Sequence, residues 1–188
     1  MESIILCGMP ASGKTTVAKI IASKLGFAVI GGGDILKEMA RDRGYKITGD
    51  DWWDTPDGIK FLRERDGNPD FDKEADRRIV QKIKEGNFVV TSYTAPWLSK
   101  EGFKVWLGAT QDNRAGRMSL RDSSAMDESK AATKIRDDEN TSLYRKLYKI
   151  DFGADMSPFD LIVDTNEIFA EQVAAKIIEA YRLRNNVK

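Results

Sequence analysis

The stretch GMPASGKTT, Gly8 to Thr16, constrains this chain more than any other. Gly8 to Thr15 matches the spacing G-x-x-x-x-G-K-[ST] at every position. A short apolar run, SIILCG, precedes the loop, and an amphipathic stretch from Lys14 to Leu25 follows, with Val17, Ile20, Ile21 and Leu25 on one side. In a strand–loop–helix context the glycines let backbone N–H groups turn inward as an anion nest. The N-terminus of the following helix adds partial positive charge. Gly8, Ala11, Ser12, Gly13, Lys14, Thr15 and Thr16 are therefore the candidate cradle for a polyphosphate. Lys14 is placed to reach the β- and γ-phosphates, and the Thr15 hydroxyl to ligate Mg²⁺.

The rest of the chain alternates short apolar runs with longer amphipathic ones. SIILCG, FAVI, NFVVTSY, FKVWLGA and DLIVDT read as strands. Helices are predicted over Lys14–Leu25, Asp34–Arg43, Gly58–Arg65, Phe71–Glu85, Thr110–Asp122, Ala125–Tyr148 and Ile168–Arg182. Strands this short, separated by helices, predict a three-layer α/β sandwich: a five-stranded parallel sheet with helices on both faces. In such sheets ligands sit at the carboxyl ends of the strands, where Gly8, Asp34, Ser92 and Ala109 fall.

Composition narrows the chemistry. Thirty basic side chains balance thirty acidic ones, which gives no sign of a nucleic-acid or membrane surface. The chain contains no histidine, so His-based acid–base chemistry is excluded and a zinc site is not expected. A single cysteine, Cys7, rules out an internal disulfide and reads as a small buried hydrophobe. A reducing cytoplasm is expected, with no secretion signal and no membrane span. The chain has the size of one domain.

Arg114, Arg117 and Arg121 recur at i, i+3 and i+7, one face of a helix, and Arg136 follows beyond the polar stretch DSSAMDESKAATK. Guanidinium groups beside a phosphate loop suit a lid that closes over phosphates and neutralises transition-state charge. Ion pairs with Asp112, Asp122 or Asp137 are the alternative use of the same arginines. A hydroxyl acceptor usually needs a base, whereas a phosphate acceptor is already anionic and needs cations. Arginine-rich and histidine-free, the sequence leans toward a phosphate acceptor, with Asp34 available as a base for a hydroxyl.

GMPASGKTTVAKIIASKLGF, GGGDILKEMA, FDKEADRR, NRAGRMSLRD, IRDDE, LYKIDF and DLIVDT, in that order, resemble the archaeal-type cytidylate kinases. These are nucleoside monophosphate kinases related to adenylate kinase. The resemblance runs from Met1 to about Tyr181, with a divergent stretch from about Tyr45 to Asn68. It implies ATP as donor, Mg²⁺ as cofactor, CMP or dCMP as acceptor, an acceptor-binding module at about 34–85 and a lid at about 122–134. It assigns catalysis to Lys14, Arg117, Arg121 and Arg136, with Arg117 also binding the donor, and the metal to Thr15 and Asp34. Asp164, Thr165 and Asn166 fall where the donor base is held by backbone contacts. Asp34, Lys37, Arg41, Asp76, Arg77 and Tyr93 fall on the acceptor side, Asp76 and Arg77 as an acidic–basic pair facing the cytosine. A monomer taking small-molecule nucleotides is expected.

The chain departs from the pattern at several points. Lys37 stands where the family usually has arginine, which keeps charge but loses the bidentate fork. Thr91, Ser92 and Tyr93 stand where it shows an acidic residue, a glycine and an acceptor-binding arginine. Leu143 replaces a second basic residue, with Arg145 close by. Arg41, Arg43, Arg63 and Arg65 are the candidates to compensate. Trp52 and Trp53 either both pack the acceptor module against the main sheet, or one buries while the other covers the acceptor base, and Trp97 is a candidate to line the same pocket. Two alternatives stay open at this point: a kinase for a non-nucleotide hydroxyl with Asp34 as base, and a nucleotide-dependent binding protein.

Overall fold

The protein is described by a computed structural model over residues 1–47, 52, 55–65 and 68–186; side-chain statements exclude Arg65. Five strands, β1 (Ile4–Cys7), β2 (Ala28–Gly31), β3 (Phe88–Thr91), β4 (Phe103–Gly108) and β5 (Leu161–Asp164), form one sheet in the order β2-β3-β1-β4-β5. Every pairing is parallel. β1 is central and fully buried, which is why its run is apolar without alternation.

Alternation along the strands divides the core into layers. Ile4 and Leu6 of β1, Val89 of β3, and Val105 and Leu107 of β4 face α1 (Lys14–Leu25) and α8 (Ala170–Asn185), packing on Ile21, Ile177 and Tyr181. Ile5 and Val90 face the other way, toward α2 (Gly32–Asp42), α3 (Pro56–Arg65) and α4 (Pro69–Glu85). Cys7 and Trp106 begin a third cluster with Ile150 and Phe152. The remaining helices are α5 (Ala95–Leu98), α6 (Gln111–Asp122) and α7 (Met126–Tyr148).

The sandwich expected from the strand pattern is the one found, with helix ends shifted by a few residues. α3 starts at Pro56 rather than Gly58; Pro carries no N–H, and the first helical position needs none for the helical ladder. α8 starts at Ala170 because Gln172 caps the Phe169 N–H, and it runs on to Asn185. α5, a single turn with Pro96 in its first positions, is an addition to the helices predicted from the sequence. The polar stretch after α6 is helical from Met126 onward. Cys7 is buried and its thiol is pushed up to about 12 by that burial, consistent with a packing role.

Trp52 takes the buried place expected of at least one of the pair, and the expectation for Trp97 is corrected. Trp52 is 1% exposed and packs its ring 5.8 Å from Phe61 inside the α2–α3–α4 core, so it does not cover a ligand. Trp97 stacks edge-on against Phe159 at 5.2 Å and donates Nε1–H to Asp155 at 2.7 Å. That places it in the third cluster, away from the cavity walls described below. Trp53 lies outside the described residues.

Candidate functional site

The glycine loop sits where β1 delivers it, at the carboxyl edge of the sheet. Gly8 holds φ +150°, and a Cβ there would lie 2.5 Å from the Leu107 carbonyl oxygen. Gly13 takes φ 95° at the N-cap of α1, which has no side-chain cap. The first N–H groups of α1 thus face the loop without a competing side-chain oxygen. Lys14 folds back over the loop, donating to the Gly8 and Met9 carbonyls at 2.7 and 2.9 Å. Its ammonium also stands 4.7 Å from the centre of the Tyr93 ring. Burial lowers Lys14 to about 8, with Arg136 and Arg114 pushing the same way.

Three cavities meet around this loop. One, of about 570 Å³, is lined by the loop from Ala11 to Thr16 and by Tyr93, Arg117, Arg121 and Arg136. The structure therefore gathers Arg117, Arg121 and Arg136, from two helices, around the phosphate loop. A second cavity, of about 470 Å³, shares Ser12, Gly13, Thr16 and Arg117 and continues to Thr165, Asn166 and Phe169. A third, of about 410 Å³, shares Lys14, Thr15 and Tyr93 and opens the other way, between Gly32, Gly33, Asp72, Asp76, Asn140 and Tyr144. Lys14, Thr15 and Tyr93 stand at the junction.

Arg114 is corrected out of the lid set. It is 4% exposed and grips Asp137 of α7 through both terminal nitrogens, at 2.9 and 2.6 Å. Nη1 also donates to the Pro10 carbonyl at 3.2 Å. It thus ties the phosphate loop to α6 and α7. Arg117 donates to the Thr165 hydroxyl at 3.1 Å and to the Thr165 carbonyl. Arg121 pairs with its neighbour Asp122 at 2.6 Å and is 60% exposed. Arg136 is exposed on α7.

In the third cavity, Asp76 of α4 accepts from the Thr94 hydroxyl at 2.6 Å and from the Tyr148 hydroxyl at 2.5 Å. Thr94 is itself placed by Ser92, whose oxygen accepts the Thr94 and Ala95 N–H groups. Burial and the bond to Asp76 push the Tyr148 phenol well above its ordinary value. Arg77, next to Asp76 on the helix, is exposed and does not line the cavity, so the structure does not bring the expected pair together there. Lys37 is half-buried on α2 and Arg41 is exposed; neither lines it. Arg43 is held by Glu64 and Glu74 and lies 4.3 Å over Phe71. Arg63 is exposed outside the cavity, and Arg145 pairs with Asp151 at 2.8 Å. Lys14 is the cation among the cavity's described lining residues, which also include Asp72 and Asp76.

Thr94, Tyr144 and Tyr148 escaped the sequence reading. Tyr144 and Tyr148 share a helix face at i and i+4, a visible signal, but nothing local says which helix they meet. At the donor end Thr165 and Asn166 line the cavity, whereas Asp164 caps the turn by accepting the Asn166 N–H at 2.8 Å. Asp34 accepts the Gly31 N–H at 2.8 Å, which fixes it at the start of α2. Among the described residues no group of three or more acidic or cysteine side chains forms a metal cage. Thr15, exposed between two of the cavities, suits instead an ion held mainly by phosphate oxygens and water, as Mg²⁺ prefers.

Residues 4–142 match a family described as an AAA domain. A cytidylate kinase of Pyrobaculum islandicum is 32% identical over 168 residues, 88% of this chain and 85% of that protein. A cytidylate kinase of Pyrococcus abyssi is 32% identical over 173 residues, 92% of this chain and 89% of that protein. Among solved structures, a shikimate kinase of Acinetobacter baumannii superposes with a TM-score of 0.56 at 18% identity, covering 100% of this chain and 96% of that one. That last likeness concerns the fold.

Proposed function

The chain belongs to the cytidylate kinase family, and from that premise we propose that it transfers the γ-phosphoryl group of ATP to CMP or dCMP. The observation that carries this reading is the meeting of the cavities at Lys14, Thr15 and Tyr93. A donor running from the base cavity through the phosphate loop points its last phosphate into the third cavity, where an acceptor sits in line.

Thr15 would hold Mg²⁺, with Asp34 positioning its water shell; when bound, the ion neutralises charge on the β- and γ-phosphates. The loop N–H groups and Lys14 hold the donor phosphates. Arg117, Arg121 and Arg136 complete the charge neutralisation when the hairpin of α6 and α7, residues 122–134 at its tip, closes as a lid. Closure excludes water, which limits idle hydrolysis. The acceptor phosphate is already anionic, so no side chain is needed as base. Residues 34–85 form the acceptor module. Asp76, its carboxylate oriented by two hydroxyl donors, presents acceptor lone pairs that suit the cytosine amino group. Tyr93 and Tyr144 supply aromatic surface beside it.

An acceptor panel tests the reading: CMP, dCMP, UMP, AMP and small polyols, each with MgATP. Transfer to the cytidine monophosphates is expected to exceed the others by at least about tenfold in kcat/KM, the size of one discriminating hydrogen bond. Turnover of polyols alone would overturn it.

A further inference from the structure

Lys14 and Tyr93 line both the cavity at the phosphate loop and the third cavity. A lysine ammonium is a point charge on a flexible four-carbon stem. Phosphates on both sides attract it, so its place between them depends on the neutral contacts that hold it. The Gly8 and Met9 carbonyls accept two of its protons, at 2.7 and 2.9 Å, and both belong to the loop itself. The contact from outside the loop is the Tyr93 ring, whose centre lies 4.7 Å from the ammonium.

The scaffold fixes that ring. The Ser92 N–H donates to the Leu6 carbonyl at 3.2 Å, and the Thr94 N–H donates to the Ser92 hydroxyl oxygen at 3.2 Å, so the backbone is pinned on either side of Tyr93. The Tyr93 carbonyl accepts from the Cys7 thiol at 3.5 Å. Its ring lies 5.9 Å from that of Tyr144 and meets the buried Phe152 edge-on at 5.6 Å. Burial raises the phenol above its ordinary value, so the side chain meets Lys14 as a neutral π-face. Such a face attracts an ammonium and leaves its charge for phosphate, whereas a carboxylate there would pair with it and compete.

We propose that Tyr93 is the positioning residue for Lys14: its ring holds the ammonium at the junction of the two cavities, on the path of the transferred phosphoryl group. The proposal rests on the phosphoryl-transfer reading above. A double-mutant cycle tests it, with Tyr93→Leu made in the native protein and in Lys14→Met, and kcat and KM measured for CMP with MgATP. In the native background Tyr93→Leu is expected to lower kcat roughly 5- to 30-fold, the range of a partly desolvated cation–π contact. KM for CMP should move by less than about threefold, because the loss falls on the transfer step. In Lys14→Met the same change should cost less than about twofold, since the ring then has no ammonium to hold. Tyr93→Phe, which keeps the ring, should restore most of what Tyr93→Leu loses. Tyr93→Met, a flexible apolar filler, goes through the same cycle so that a packing fault particular to leucine does not decide the result. Equal losses in both backgrounds, an effect confined to KM for CMP, or no rescue by Tyr93→Phe would overturn the proposal. Failure of the kinase reading shows separately, as no transfer to CMP by the native protein while the cycle, read on ATP hydrolysis, keeps its non-additivity.

Discussion

Lys14 rests on the carbonyls of Gly8 and Met9 and on the Tyr93 ring, so its charge meets neutral partners. Burial lowers it from 10.5 to about 8. Between those values the unfolded chain binds more protons than the folded one, so this residue makes stability rise with pH from about 8 toward 10.5. A bound polyphosphate favours the charged form and raises it again. Titrating ADP at about pH 9 in buffers of different ionisation enthalpy should therefore show net proton uptake, absent in Lys14→Met. The same variant should lose at least about a hundredfold in kcat, the scale of one missing donor to a developing oxyanion.

α6 and α7 carry cations of two kinds, and their partners tell them apart. Arg114 and Asp137 form a buried, bidentate bridge that also holds the Pro10 carbonyl. Arg114→Ala leaves Asp137 without its guanidinium and should cost about 3–5 kcal/mol. For a chain of this length that is roughly 6–20 °C in Tm, readable by thermal denaturation. Arg121 instead sits at the cleft edge on an exposed pair with Asp122, which contributes little to folding. Arg121→Ala should lower kcat about tenfold or more while ADP affinity moves by less than about threefold, since its contact forms on closure. Equal loss in both would remove the lid role. Tyr148 joins the last turn of α7 to Asp76 of α4. Tyr148→Phe should raise KM for CMP by about five- to tenfold with kcat nearly unchanged, because it loosens the carboxylate that orients the acceptor.

At the scale of the molecule, the three contiguous cavities, under the proposed assignment to base, phosphates and acceptor, predict that one ligand can fill all of them. Adenosine and cytidine joined by five phosphates should stabilise the protein well beyond ATP at equal concentration in a thermal-shift assay, because it gains contacts on both sides of Lys14. Equal shifts would argue against a joined site. No helix among the described residues is long and apolar enough to cross a membrane. The loop from Gly8 to Thr15, the strand runs and their alternation with helices were readable along the chain, because turn chemistry and the period of buried residues depend on near neighbours. From them followed the parallel sheet and its ligand-bearing edge. Packing assigned the partners: it turned Arg114 into a brace, moved Trp97 into the aromatic cluster, set Tyr148 on Asp76 and left Phe169 bare at the donor end. Arg114, Trp97 and Tyr148 reach partners as far as 104 residues away along the chain. Such meetings depend on how finished helices and strands stack, and the spacing of residues along one segment does not encode that.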